Sequence, residues 1–188
     1  MLCASDSFFY ELRRYVSFYL YLYCIVISAP CRIEAQSYGA DVITQFYGYV
    51  MLNGVAVWQA SWGGEYPNYR GANVIIVDLP TCTLHEWRTF DLHSDSPTPA
   101  YQLRDYLTSL SNGTVLVGVS CDEPSRWMYL ASDTLSALGA DVSDVGWRGA
   151  WVFVAEKGDP DKTVLDKALT QSAANARQPR INTTFARA

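Results

Sequence analysis

From Asp122 to Gly158 the chain reads DEPSRWMYLASDTLSALGADVSDVGWRGAWVFVAEKG, an amphipathic helix pattern followed by a Gly-Trp-Arg turn and an unbroken apolar strand. Trp127, Leu130, Ala131, Leu135 and Leu138 recur at helical spacing, so a helix over residues 123–138 would carry one apolar stripe. Gly139 follows as the residue that ends it. Ala150 to Ala155 has strand length and no polar face, the mark of a strand covered on both sides. A helix and a doubly covered strand joined this closely require a layered fold with sheet and helix packed on each other.

The upstream chain supplies the partners. YGYVMLNGVAVWQA gives two alternating runs about Asn53-Gly54, a dipeptide suited to a tight hairpin because both central residues need positive φ. Asn73 to Leu79 and Thr114 to Ser120 are further apolar strands, and Glu86 to Leu92 alternates as a strand with one polar face. Between them, Thr98 as N-cap and Pro99 at the first position open a helix whose apolar face is Leu103, Tyr106, Leu107 and Leu110. These elements predict an α+β domain of two small β-sheets flanked by two or more helices.

Residues 1–35 read as a leader. Arg13 and Arg14 precede an uncharged run from Tyr15 to Cys31, too short for a membrane span, with Ile33 and Ala35 preceding a cleavage point at Gln36. A signal peptide is expected, with a type II signal anchor as the alternative. Cleavage there removes three basic and three acidic residues, so the net charge stays at −5. Cys82 and Cys121 would then be the two remaining cysteines. In an oxidising compartment they would pair if the strands they follow lie side by side; otherwise both remain thiols. Asn112 and Asn182 head N-x-[ST] sequons, readable only in a secreted chain. From Asp159 onward polarity rises and periodicity fades, and a flexible polar tail is expected over residues 161–188.

Acidic and basic residues are interspersed, without the concentrated Lys/Arg surface that nucleic acid requires. The chain has two histidines, His85 and His93; the nearest cluster, Cys82 with His85, offers two ligands where zinc takes three or four. No metal, cofactor or nucleophile elbow is expected, and so no enzyme. Asp122 reads as a helix N-cap able to offer its second oxygen to a ligand, and Arg148 as a turn residue near Asp141 and Asp144. Trp127 is either core or a stacking surface for a ring, while Trp151 and Phe153 are core.

The run RGANVIIVDLPTCTLHEWRTFDLHSD, then TVLVGVSCDEPS, then the opening stretch, resembles the ILEI/PANDER domain family. That family of cytokine-like modules also provides the stem domain of protein O-linked-mannose N-acetylglucosaminyltransferase. The shared pattern is an RG-x-N strand, an R-x-FD strand, a DE strand end, an LG helix stop and GWR-x-[SA]-W-x-FV followed by a KG pair. The resemblance covers about residues 47–158 and implies a compact sandwich over residues 36–160. It also implies that Arg70, Asp122 and Arg148 contact a β-linked N-acetylglucosamine. The chain departs from the pattern at Cys121, Pro124 and Gly149, all of which bear on the shape of that pocket.

The expected function is a secreted, noncatalytic carbohydrate-binding protein whose partner is a glycan or glycoprotein. A secreted cytokine-like protein acting on a cell-surface receptor is the alternative. A Golgi or type II membrane-anchored location follows if the leader is kept.

Overall fold

The computed structural model describes residues 29–39, 47–61, 66–170, 172 and 177–186. Residues 1–28 of the expected leader lie outside the described residues.

Among the described residues ten strands are present: β1 (Cys31–Gln36), β2 (Tyr38–Gly39), β3 (Tyr47–Leu52), β4 (Val55–Ser61), β5 (Gly71–Asp78), β6 (Thr83–Phe90), β7 (Val115–Asp122), β8 (Ala150–Glu156), β9 (Asp159–Ala168) and β10 (Arg180–Phe185). The helices α1 (Thr98–Ser109) and α2 (Ser132–Ala137) accompany them, with a 3-10 turn over Met128–Leu130. One sheet has the order β10-β1-β3-β4 and the other β6-β5-β7-β8-β9, all antiparallel. Strand β2 pairs parallel to the end of β7, with Tyr38 opposite Cys121 and Gly39 opposite Asp122.

The larger sheet is covered on both faces, and strand alternation sorts its residues between them. Ile75, Val77, Val117, Val119, Val152 and Val154 face the smaller sheet and close a sandwich core with Ile33, Val50 and Trp58. Val74, Ile76, Leu116, Trp151 and Phe153 face the other way, onto Leu103 and Leu107 of α1 and Leu135 of α2. Gly118 makes this second face possible. A Cβ there would lie 2.2 Å from the Phe153 ring, which stacks on Trp151 with centroids 5.6 Å apart.

Strands dominate the described residues, so the expected α+β class is corrected to a β-sandwich with α1 and α2 on the outer face of one sheet. The miscount has a local cause. Residues 31–36, all but Gln36 assigned to the leader, form β1, and residues 159–168 and 180–185, assigned wholly or largely to a tail, form β9 and β10. Strand β9 is an edge strand and mostly polar, so its sequence shows little of the apolar alternation that marks a strand. In β10 only Ile181 and Phe185 turn inward.

The helix expected over residues 123–138 is also shorter. Pro124 disfavours the α region for Glu123, and the chain stays non-helical until the turn at Met128. Helix α1 starts one residue earlier than expected, with Pro97 rather than Thr98 at the cap position. The hairpin at Asn53-Gly54 has the expected geometry, with φ of 49° and 80°.

The expected Cys82–Cys121 bond is replaced by Cys31–Cys82, with Cα atoms 5.3 Å apart, and Cys121 is a buried free thiol. The strands do lie side by side, but they run antiparallel: Gly71 pairs with Cys121 and Val77 with Val115. Cys82 follows one end of β5 and Cys121 sits at the other, separated by about 20 Å of strand, well beyond disulfide reach.

Candidate functional site

Strand β7 ends in a corner. Asp122 takes a left-handed backbone, φ 60°, where an aspartate is better tolerated than most side chains, and its residue is 5% exposed. It is therefore the last residue of a strand and not the helix cap expected of it. Tyr38, brought alongside by β2, donates its hydroxyl to Asn68 Oδ1 at 2.8 Å, which orients the amide so that Asn68 Nδ2 donates to Asp122 Oδ2 at 3.4 Å. Burial pushes the Tyr38 hydroxyl far above its ordinary value, so it remains a donor. Burial also raises the Asp122 carboxyl, and the Asn68 amide and the Arg70 charge offset that only in part.

Arg70 precedes Gly71, whose φ of 98° favours glycine and where an added Cβ would lie only 2.2 Å from the Phe90 carbonyl oxygen, so no side chain fits. That approach sets Arg70 against the end of β6. Its guanidinium grips Asp91 in a two-point fork, Nε to Oδ1 at 2.9 Å and Nη2 to Oδ2 at 2.7 Å. The His93 backbone N–H adds a third bond to Asp91 Oδ1 at 3.1 Å. Burial works to raise Asp91, but these donors outweigh it and hold the carboxyl below its ordinary value. Asn68, Tyr69, Arg70, Thr89, Asp91 and Asp122 enclose an open pocket of about 310 Å3.

Arg148 stands elsewhere. It lies in the turn before β8 with φ 50°, and its backbone N–H donates to Glu123 Oε2 at 2.6 Å. Its guanidinium lies 5.2 Å from the centroid of the Trp147 ring, which is 53% exposed and meets His93 edge-on at 5.3 Å. The structure thus brings Arg70 and Asp122 to one pocket wall. Arg148 is tied to the neighbouring acid of the same corner, on a surface that joins the pocket through residues 91–93.

Glu123, only 1% exposed, was not singled out by sequence. Its Oε1 accepts from the Ser125 N–H at 2.6 Å and the Ser125 hydroxyl at 2.5 Å, while Oε2 takes the Arg148 N–H. One carboxylate therefore fixes both the 123–125 corner and the 147–149 turn. Asn68 and Asp91 were also missed. Asp91 is the acid of the R-x-FD pattern and so was visible as a motif, whereas Asn68 sits in a loop without any signal.

Trp127 is half-buried against the helix-side core, and its indole N–H donates to the Ser94 carbonyl at 2.9 Å. Arg126 lies 5.3 Å from its ring centroid. The exposed aromatic beside the site is Trp147. Asn112, in the turn after α1, and Asn182, in β10, are both exposed.

Donor groups of Arg70 and Asn68 and acceptor groups of Asp91 and Asp122 line one small open pocket. Asp91 has both oxygens occupied by Arg70, so it cannot serve as a free base beside Asp122.

Residues 70–159 match the profile of the family described as Interleukin-like EMT inducer. The chain is 30% identical over 105 residues to Protein FAM3A of Mus musculus, covering 55% of this chain and 44% of that protein. It is 29% identical over 118 residues to the cell migration-inducing and hyaluronan-binding protein of Homo sapiens, covering 62% of this chain and 8% of that protein. The matched stretch spans less than half the length of these relatives.

Proposed function

With residues 70–159 forming a domain of the interleukin-like EMT inducer family, a cytokine-like family, we propose that this chain is a secreted, noncatalytic module that binds the end of a glycan in the Arg70–Asp122 pocket. One observation carries the reading. A buried carboxylate held in a left-handed corner faces a guanidinium already locked by Asp91, so donors and acceptors are preset for hydroxyls before any ligand arrives. Sugars of the N-acetylglucosamine type are the expected class, and a relative named for hyaluronan binding supports a glycan partner. Secretion is supported by the apolar run after Arg13 and Arg14, and by a disulfide that needs an oxidising compartment.

An open polar pocket exchanges hydration for protein hydrogen bonds with small net gain, so a Kd near the millimolar range, about −4 kcal/mol, is expected. Titration with N-acetylglucosamine-terminated oligosaccharides should show saturable binding that Asp122→Asn and Arg70→Ala abolish. Absence of binding by the wild type, or undiminished binding by both variants, sinks the reading. Arg148→Ala separates the two surfaces: loss of binding places the ligand across residues 91–93 onto Trp147, and retention confines it to the pocket.

A second reading, cytokine-like action through a protein receptor, is favoured by the family and by the half-exposed Trp147 with Arg148 over it. Trp147→Ala should weaken binding to responsive cells while sparing sugar binding in the pocket.

A further inference from the structure

Strand β6 ends the larger sheet, and among the described residues nothing pairs with its outer edge. Such edges are normally blunted by proline, lysine or charge, and the opposite edge follows that rule: β9 carries Pro160, Asp161, Lys162 and Lys167. Strand β6 reads TLHEWRTF, without proline or lysine. A register shift at His85 disturbs its start, leaving Glu86 to Phe90 as a regular run.

The charges on that run are self-complementary. Glu86 and Arg88 flank Trp87 and point to the helix side, where the Tyr106 hydroxyl donates to Glu86 Oε1 at 2.8 Å and the Arg88 guanidinium lies 4.4 Å from the Tyr106 ring centroid. Trp87 points to the opposite face. It is 38% exposed and rests edge-on against Tyr69 at 5.0 Å, which in turn packs on Trp58.

We propose that β6 pairs antiparallel with β6 of a second copy of this chain about a two-fold axis through Trp87, joining two larger sheets into one. In that register Glu86 lies opposite Arg88 of the partner subunit and the reverse pair repeats across the axis. The two Trp87 rings meet on one face. The charges on either side of this residue are opposite, so the run is complementary to itself, and an isologous contact requires that property, whereas pairing with an extended peptide of unrelated sequence does not. The open pocket of about 820 Å3 between β6 and α1, walled by Glu86, Arg88 and Tyr106, borders this seam. This inference is independent of the sugar reading, since it uses neither Arg70 nor Asp122.

The test is sedimentation equilibrium of the purified full chain over a rising concentration series. The wild type should approach twice the chain mass, while Glu86→Arg and Arg88→Glu should each stay at one chain mass because like charges now face each other. An equimolar mixture of the two variants should recover the doubled mass, since every cross-pair is again opposite in sign. A variant that merely misfolded would not recover on mixing. A wild type that stays monomeric throughout overturns the proposal and leaves the edge to another partner. A dimer that persists in both single variants, or a mixture that fails to associate, overturns it equally.

Discussion

Removing the Cys31–Cys82 bond tests the reassignment of residues 31–36 to the folded domain. Cys31 opens β1 in the smaller sheet and Cys82 sits in the turn between β5 and β6, so the bond staples the two layers of the sandwich together. The cysteines are separated by 51 residues. In the chain-entropy treatment, a loop of that size restricts the unfolded chain enough to stabilise the fold by about 4 kcal/mol at 25 °C. With a urea slope of about 2 kcal/mol per molar for a domain of this size, reduction should lower the unfolding midpoint by about 2 M. The assay is equilibrium urea unfolding of a chain starting at Ala29, with and without reductant, alongside the double variant Cys31→Ala/Cys82→Ala. Denatured oxidised protein should yield one titratable thiol, Cys121. Three free thiols, an unchanged midpoint on reduction, or a natural mature terminus at Gln36 would refute the placement of β1, because cleavage there discards Cys31 altogether.

Asp122→Asn should raise stability at neutral pH while removing sugar binding. Burial sets the folded carboxyl above its unfolded value, so the ionised form costs stability above that raised value, and the cost fades as the pH falls through it. The advantage of Asn should therefore shrink toward about pH 4 in unfolding titrations, and an advantage that grows on acidification would reverse the sign. Gly118→Ala should destabilise by about 3 kcal/mol by driving a methyl into the Phe153 ring, visible as a lowered Tm and a loss of near-ultraviolet aromatic signal. Glu123→Ala should cost about 2 to 4 kcal/mol, since it strands the Ser125 and Arg148 backbone donors together, and a neutral effect would show that water replaces the carboxylate. Glycosidase treatment of secreted protein should shift its mobility if Asn112 and Asn182, both exposed, carry glycans.

The central strands were legible because burial on two faces leaves an unmistakable apolar run: Asn73 to Leu79, Thr114 to Ser120 and Ala150 to Ala155 correspond to β5, β7 and β8 within two residues at each end. Edge strands carry no such mark. In β9 the inward positions Leu165 and Ala168 are diluted by three aspartates and two lysines, and β1 sits against an apolar leader whose composition masks it. The site divides in the same way. Arg70 and Asp122 were named through motif order and line one pocket, but the Arg70–Asp91 fork depends on how β5 and β6 end together, and the role of Glu123 depends on a contact with a turn 25 residues away. Sequence spacing encodes neither. The cysteine pairing failed for a related reason, since two adjacent strands say nothing about thiol distance until their relative direction is known.

The pairing of β1 with β10 constrains how the molecule is assembled in time. Cys31 lies opposite Phe185, so the smaller sheet gains its outermost strand only when the C-terminal segment has emerged from the ribosome. Until then one edge of β1 stays bare, and Ile181 and Phe185 are missing from the sandwich interior. Contacts this distant in sequence slow the search for the native state, which exposes the nascent chain to chaperones and to mispaired thiols while synthesis finishes. A stop codon before Arg180 would therefore do more than shorten the chain: it would hold the product in its half-closed biosynthetic form.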